Sequence, residues 1–187
     1  MALILASASP RRAELLASSG FEFIVCPADV DETHFPDETP EDYVIRVAHD
    51  KAEAIADECR RTKSIVIAAD TVVVAGGEIL GKPADRLDAA RMLRMLSGAV
   101  HDVFTGVVVA TPDQALATAV RTRVSVVPLS AEEIDWYIGT REPEGKAGAY
   151  AIQGHAARFI EWIEGSWSNV VGLPVATVYQ MLKRVGA

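Results

Sequence analysis

Four short stretches of the chain bring together residues able to do chemistry. Ser7-Ala8-Ser9-Pro10-Arg11-Arg12 stands where an apolar run, Leu3 to Ala6, gives way to a helical pattern. Ser9 fits an N-cap and Pro10 the first helical position. A helix start presents unpaired N–H groups and a partial positive charge, so it binds anions. Arg11 and Arg12 oppose that dipole at a cost of a few tenths of a kcal/mol, which an anion lying between them and the helix would offset. The plain alternative is that both arginines point to solvent.

The second stretch is Asp70-Thr71 inside Ile65-Val66-Ile67-Ala68-Ala69-Asp70-Thr71-Val72-Val73-Val74. A carboxylate among aliphatics is expensive to bury unless paired. Placed at a strand end beside a cleft, it is a candidate general base or metal ligand. The third is Gly81-Lys82-Pro83, where Lys82 offers a cation to a phosphate. Taken singly, Lys82 and Lys51 read as surface lysines. The fourth is the glycine-rich run Glu142 to Gly154, in which Gln153 offers an acceptor and a donor side by side. That pair matches N3–H and O4 of uracil or thymine, and equally N1–H and O6 of guanine.

Several common chemistries lack their parts. His34, His49, His101 and His155 have no metal-ligand spacing, and no P-loop, dinucleotide fingerprint or nucleophile elbow occurs.

The elements that must position these residues follow from periodicity. Strands are expected at Leu3–Ala6 and Phe21–Cys26, with a helix between them from Pro10 to Gly20. One long helix is expected from Thr39 to about Arg61, with acids in its first turn. The β-branched run Ser64 to Val74 is expected to break at Ala68-Ala69-Asp70, then turn at Gly76-Gly77 into a return strand. Asp85 to Leu96 reads as helix, and Val103–Thr111 and Leu116–Val127 as strands. Ser130-Ala131-Glu132-Glu133 reads as a capping box. Gly145 to Gly154 is expected as loop or bent strand, Phe159 to Glu164 as strand, and Pro174 to Val185 as a closing helix. The irregular alternation makes this an α/β chain with a mixed sheet. No linker argues for a second independent domain, so residues 1–187 are expected as one.

Composition bounds the partners. The 26 acidic and 18 basic residues leave a net charge of −8, and half of the 187 residues are apolar. A chain of this length buries about 70% of its unfolded surface, so it needs no staple to fold. Disorder is excluded by the apolar content, and a coat for duplex DNA by the missing basic face. Arg60, Arg61 and Lys63 have no aromatics among them, so no track for single-stranded nucleic acid is present. Cys26 and Cys59 read as free thiols. No apolar run reaches the ~18 residues of a membrane helix, and the start lacks a signal peptide's positive charge; a cytoplasmic place is expected.

Taken together, these pieces resemble the Maf family of nucleoside triphosphate pyrophosphatases. The resemblance rests on Leu5-Ala6-Ser7-Ala8-Ser9-Pro10-Arg11-Arg12, Glu32, Lys51-Ala52, Ala69-Asp70-Thr71, Lys82-Pro83, Leu96-Ser97-Gly98, His101, Thr105-Gly106, Glu142-Pro143, Lys146 to Tyr150, Ile152-Gln153-Gly154, and Gly165-Ser166 through Asn169 to Pro174. Trp167 stands where the family usually has tyrosine, and His155 where a small or apolar residue is usual.

The resemblance implies a cytoplasmic hydrolase that splits a nucleoside triphosphate into the monophosphate and pyrophosphate. It implies an α/β fold with a mixed twisted sheet, flanking helices and two lobes around a cleft, similar to inosine triphosphate pyrophosphatases. Ala149 to Gly154 looks like the branch acting on dTTP and UTP; the rival branch acts on 7-methyl-GTP. In the former branch the residues matching Arg11, Thr71 and Gln153 are associated with substrate choice, and the residue matching Asp70 with proton acceptance. On this reading Ser9, Arg11, Arg12, Lys51, Thr71, Lys82 and Gln153 bind substrate. Glu32 and Asp70 hold a divalent cation, Mg²⁺ or Mn²⁺, and Asp70 works as base, as metal ligand or as both. A nucleotide-sensing regulator of septum formation is the rival from another class. The expected partners are the triphosphate and, as is common for compact cytosolic enzymes, a second copy in a homodimer.

Overall fold

The structure is a computed structural model and describes residues 2–187. Its strands are β1 (Leu3–Leu5), β2 (Phe23–Val25), β3 (Ile65–Ala75), β4 (Glu78–Leu80), β5 (Val100–Ala110), β6 (Ala115–Val126) and β7 (Ile160–Glu164). Its helices are α1 (Pro10–Ser18), α2 (Pro40–Ala54), α3 (Ala56–Thr62), α4 (Arg86–Leu96), α5 (Ala131–Gly139), α6 (Trp167–Val171) and α7 (Val175–Arg184). The strands hydrogen-bond in the order β2-β1-β3-β5-β6-β7, with β4 on β3. β1 runs parallel to β2 and to β3, whereas β3–β4 and β6–β7 are antiparallel. The expected mixed α/β sheet with flanking helices is what forms.

The chain condenses into two compact units. One comprises the residues up to Asp70, Thr105–Val120 and Gly172–Ala187; the other comprises Thr71–Phe104 and Arg121–Val171.

In the first unit, Ile4 and Ala6 of the β1 segment and Val66 and Ala68 of β3 pack with Ala48, Ala52, Ile55, Cys59 and Val108. The pleat's period of two therefore turns Val66, Ala68 and Asp70 toward α2. Gly106 of β5 lets α2 sit close to the sheet. A Cβ there would lie 2.1 Å from the carbonyl oxygen of Val44, a backbone atom that cannot move aside. Thr39 caps α2 by accepting the N–H of Asp42 at 3.1 Å.

The second unit is held by local caps and close approaches. Asp85 caps α4, and Ser130 with Glu133 forms the expected capping box of α5. Gly148, at φ 65°, leaves room for Val73, which a Cβ would meet at 2.9 Å. Buried Asn169 of α6 donates to Val103 O at 3.1 Å and to Thr122 Oγ1 at 3.0 Å.

Three expectations need correcting. The helix expected from Thr39 to Arg61 is two helices, because Ile55 at φ −115° and ψ 15° leaves the helical region between them. The β3 run does not break at Ala68-Ala69-Asp70. Both alanines are fully buried in a continuous strand, and the charge of Asp70 is met by a partner rather than by a bulge. Gly145 to Gly154 contains neither plain loop nor strand alone, but a short 3₁₀ turn at Ala147–Ala149 and the start of a second at Gly154–Phe159. Helix α6 was not foreseen. Cys26 and Cys59 are free thiols, as expected. Among the described residues no helix is long and apolar enough to cross a membrane.

Candidate active site

The parallel pairing of β1 with β3 decides where the site forms. Leu5 pairs with Ile67, and the N–H of Ala6 donates to Ile67 O at 2.9 Å. The start of α1 is thereby brought to the same end as Ala68, Ala69 and Asp70. This is the carboxyl end of β1, where α/β sheets place their ligand sites.

Asp70 sits inside β3, not at a strand end, and is buried. Its Oδ1 accepts a hydrogen bond from Lys51 Nζ at 2.8 Å. The same ammonium lies 2.6 Å from Glu32 Oε1. Lys51 is a buried residue of α2 rather than a surface lysine. One cation thus gathers two carboxylates that come from a strand and a loop. Tyr43, two turns before Lys51 on the same face of α2, donates its hydroxyl to Glu32 O at 2.7 Å and so fixes the loop. Burial first, then the negative charges of Asp70 and Glu32, push the Tyr43 phenol up to about 12.

Arg12 is buried, and two of its guanidinium nitrogens bond the scaffold. Its Nε donates to Gly172 O at 2.7 Å, and its Nη1 to Ala69 O at 2.8 Å and Ser7 Oγ at 3.1 Å. These bonds tie α1 to the residue preceding Asp70. Burial lowers the pKa of Arg12; the charges of Asp70 and Glu32 work against that, and Arg11 works with it. Arg11, Arg12, Glu32 and Asp70 therefore share one electrostatic neighbourhood. Ser9 is the residue at the N-cap of α1, but its side chain makes no capping bond; its N–H donates to Ser7 Oγ at 3.2 Å. Arg11 is half-buried in the first turn, which holds no acid.

Of the expected site residues, the first unit thus contains Ser9, Arg11, Arg12, Glu32, Lys51 and Asp70. Thr71, Lys82 and Gln153 belong to the second unit. Lys82 is exposed after β4, on a loop steadied by the Gly148 N–H donating to Gly81 O at 3.1 Å. Gln153 is half-buried and extended, at φ −90° and ψ 166°. His101, Tyr150 and Glu142 belong to the resemblance without an assigned role, and Tyr137 joins them only in the structure. His101 Nε2 and the Tyr150 hydroxyl share a buried hydrogen bond of 2.7 Å. Burial drives the His101 pKa down to about 4 and the Tyr150 pKa upward. Glu142 gathers donors from the segment after Gln153, and Tyr137 joins it. The i, i+4, i+8 spacing of Tyr43, Val47 and Lys51 is the sequence signal for Tyr43; His101, Tyr150 and Glu142 are marked only by the resemblance, and Tyr137 by nothing local.

The donor set suits a divalent cation of the hard, oxygen-loving kind. Glu32 and Asp70 present two carboxylates around one positive point. Mg²⁺ commonly takes one or two carboxylates and completes its shell with substrate phosphates and water. Among the described residues no group of three or more His, Cys, Asp or Glu is gathered into an all-protein cage.

Residues 2–185 match the family model described as Maf-like protein. A protein of Anaeromyxobacter dehalogenans (strain 2CP-C) named dTTP/UTP pyrophosphatase is 53% identical over 188 residues, covering 98% of this chain and 94% of that protein. Proteins of the same name from Koribacter versatilis (strain Ellin345) and Geotalea uraniireducens (strain Rf4) are 52% and 54% identical. They cover 100% and 99% of this chain, and 95% of their own lengths. Among solved structures, a nucleoside-triphosphatase, dITP/XTP pyrophosphatase, from Mycobacterium abscessus superposes with a TM-score of 0.41 at 16% identity, over 70% of this chain and 76% of that one. With the match spanning nearly every residue and full-length relatives at about half identity, the chain belongs to the Maf-like protein family.

Proposed function

We propose that the protein is a nucleoside triphosphate pyrophosphatase that hydrolyses dTTP and UTP to the monophosphate and pyrophosphate. The observation that carries the reading is the buried Asp70, held by Lys51 together with Glu32 in a chain about half identical to proteins of that named activity.

In this reading a water oxygen attacks the α-phosphorus. The bond from that phosphorus to the α–β bridging oxygen breaks, pyrophosphate leaves, and the proton of the water passes to Asp70. With Oδ1 engaged by Lys51, Oδ2 is the oxygen assigned to accept it. A positioned base of this kind contributes about 10²–10⁴-fold. Arg11, the N–H groups at the start of α1, and Lys82 take up phosphate charge. Arg12 holds the start of α1 against β3 so that those groups face the substrate, and Ser9 contributes from the N-cap. Thr71 and Gln153 are assigned to substrate choice, Gln153 reading N3–H and O4 of the pyrimidine.

Glu32 and Asp70 would hold the divalent cation, Mg²⁺ or Mn²⁺. Bound there, it would neutralise phosphate charge and polarise the scissile group. The acidic excess of the chain is consistent with a triphosphate, because one small anion needs a local cationic cluster and not an extended basic face. We place the enzyme in the cytoplasm with its nucleotide pool.

The test is a panel of triphosphates scored by pyrophosphate release with Mg²⁺ present. The reading predicts that dTTP and UTP lead. Preference for 7-methyl-GTP would move the protein to the other branch of substrate choice. Tight binding of a triphosphate without turnover would make it a sensor.

A further inference from the structure

Gln153 stands in the middle of a segment pinned at both ends by one pair of side chains, all within the second unit. On the far side, the N–H of His155 donates to Glu142 Oε2 at 2.9 Å, and the N–H of Ala156 donates to Glu142 Oε1 at 3.2 Å. On the near side, the N–H of Ala151 donates to the Tyr137 hydroxyl at 3.2 Å. That hydroxyl in turn donates to Glu142 Oε1 at 2.9 Å. A single carboxylate therefore fixes residues 151 and 156, with Gln153 between them. The His155 ring adds a contact from Nδ1 to Oε2 at 3.0 Å.

Two further features make this a built arrangement. Gly154 lies at φ 73°, and a Cβ there would come within 2.4 Å of Glu142 Oε2, so the backbone of the segment rests directly on the carboxylate. Glu142 is also kept in its charged, acceptor-only form. Burial alone would raise its pKa, but the N–H and ring of His155, the N–H of Ala156 and the Tyr137 hydroxyl outweigh burial and hold it below the ordinary value. A charged carboxylate offers about four acceptor sites, enough for all of these donors, whereas a neutral amide of the same shape has one acceptor oxygen and two N–H donors of its own.

We propose that Glu142, acting through Tyr137, is a positioning residue for base selection: it sets the backbone from which Gln153 reads the base. This rests on the assignment of Gln153 as base reader. A uracil or thymine edge presents N3–H and O4, and a cytosine edge presents the reverse pattern, an acceptor at N3 and a donor at N4. An amide can satisfy either edge by turning over. A fixed backbone holds the amide at one depth and angle against the base, which limits the poses in which a turned-over amide still meets the wrong edge; a loose segment lets that edge find one.

The experiment compares kcat/KM for dTTP and dCTP in the wild type, Glu142→Gln, Tyr137→Phe, His155→Ala and Gln153→Ala, each checked for folding by thermal melting. The proposal expects the dTTP/dCTP ratio to fall about tenfold or more in Glu142→Gln. Tyr137→Phe, which removes only the relay to Ala151, should move it the same way by less. Both should raise KM for dTTP more than they lower kcat, because the phosphate chemistry is carried elsewhere. His155→Ala keeps both backbone donors and should leave the ratio unchanged. If Gln153→Ala erodes selectivity while Glu142→Gln and Tyr137→Phe leave it intact, the positioning role is wrong and the base-reader assignment stands. If Gln153→Ala leaves selectivity intact, the base-reader assignment itself is wrong. Should Glu142→Gln fail to fold, Tyr137→Phe decides.

Discussion

Lys51 Nζ lies 2.8 Å from Asp70 Oδ1 and 2.6 Å from Glu32 Oε1, so one buried ammonium joins a helix, a strand and a loop at a single point. Two carboxylates brought this near each other repel unless a cation lies between them. The lysine is therefore structural for the site before it is anything else.

Removing that cation should be costly. Lys51→Met takes the bridging cation away from the buried Asp70 and from Glu32, whose side chain is 38% exposed. Breaking a buried pair from one side costs about 3–5 kcal/mol, and the exposure of Glu32 puts this case toward the lower end. Urea denaturation at neutral pH should show a loss of about 3 kcal/mol. A stability equal to wild type would mean that the two carboxylates are held apart by something else.

The closeness of α2 to the sheet rests on Gly106. A Cβ 2.1 Å from Val44 O must displace backbone, unlike a clash with a flexible side chain. Overpacking of this kind costs about 1–3 kcal/mol. Gly106→Ala should be destabilised by at least the upper part of that range in thermal melts. It should also lose activity at temperatures where it is still folded, since α2 carries Lys51. A variant as stable and active as wild type would contradict the tight seat assigned to α2.

His101 makes a prediction about acid. Burial holds its pKa down at about 4 in the folded chain, against an ordinary 6.5. Between these values the unfolded chain binds the proton and the folded chain does not. This contribution is therefore fully present above about pH 6.5 and is lost as pH falls toward 4. Its full size is of the order of 3 kcal/mol, from about 1.4 kcal/mol per pKa unit. His101→Gln removes the titration, so its stability should fall less steeply than wild type between pH 6.5 and 4. Parallel pH profiles for the two proteins would show that His101 is not held neutral.

Much of this architecture could be read from residue types. The capping box at Ser130 and Glu133, the glycine turn at Gly76-Gly77, and Pro10 at the start of α1 are local signals, and local geometry obeyed them. The failures were of a different kind. Ala68-Ala69-Asp70 looked like a strand break because the charge that neutralises Asp70 comes from Lys51, nineteen residues earlier. Lys51 looked like a surface residue for the same reason. Arg12 was readable as an anion ligand at a helix start, but not as a donor to Gly172 O, 160 residues away. Glu142 and Tyr137 were invisible as a pair because their meaning lies in backbone N–H groups, which every residue has. Local conformation is written in neighbouring residues; pairing of buried charge is written in topology.

Asp70, steadied by Lys51, is proposed to activate water for attack at the α-phosphorus of a pyrimidine triphosphate. This role is tested most directly with dTTP under saturating Mg²⁺, comparing wild type with Asp70→Asn. The wild type should yield dTMP and pyrophosphate one for one, and Asp70→Asn, still folded, should turn over at least about 10²-fold more slowly. Near wild-type turnover by Asp70→Asn, or orthophosphate as the wild-type product, would contradict it.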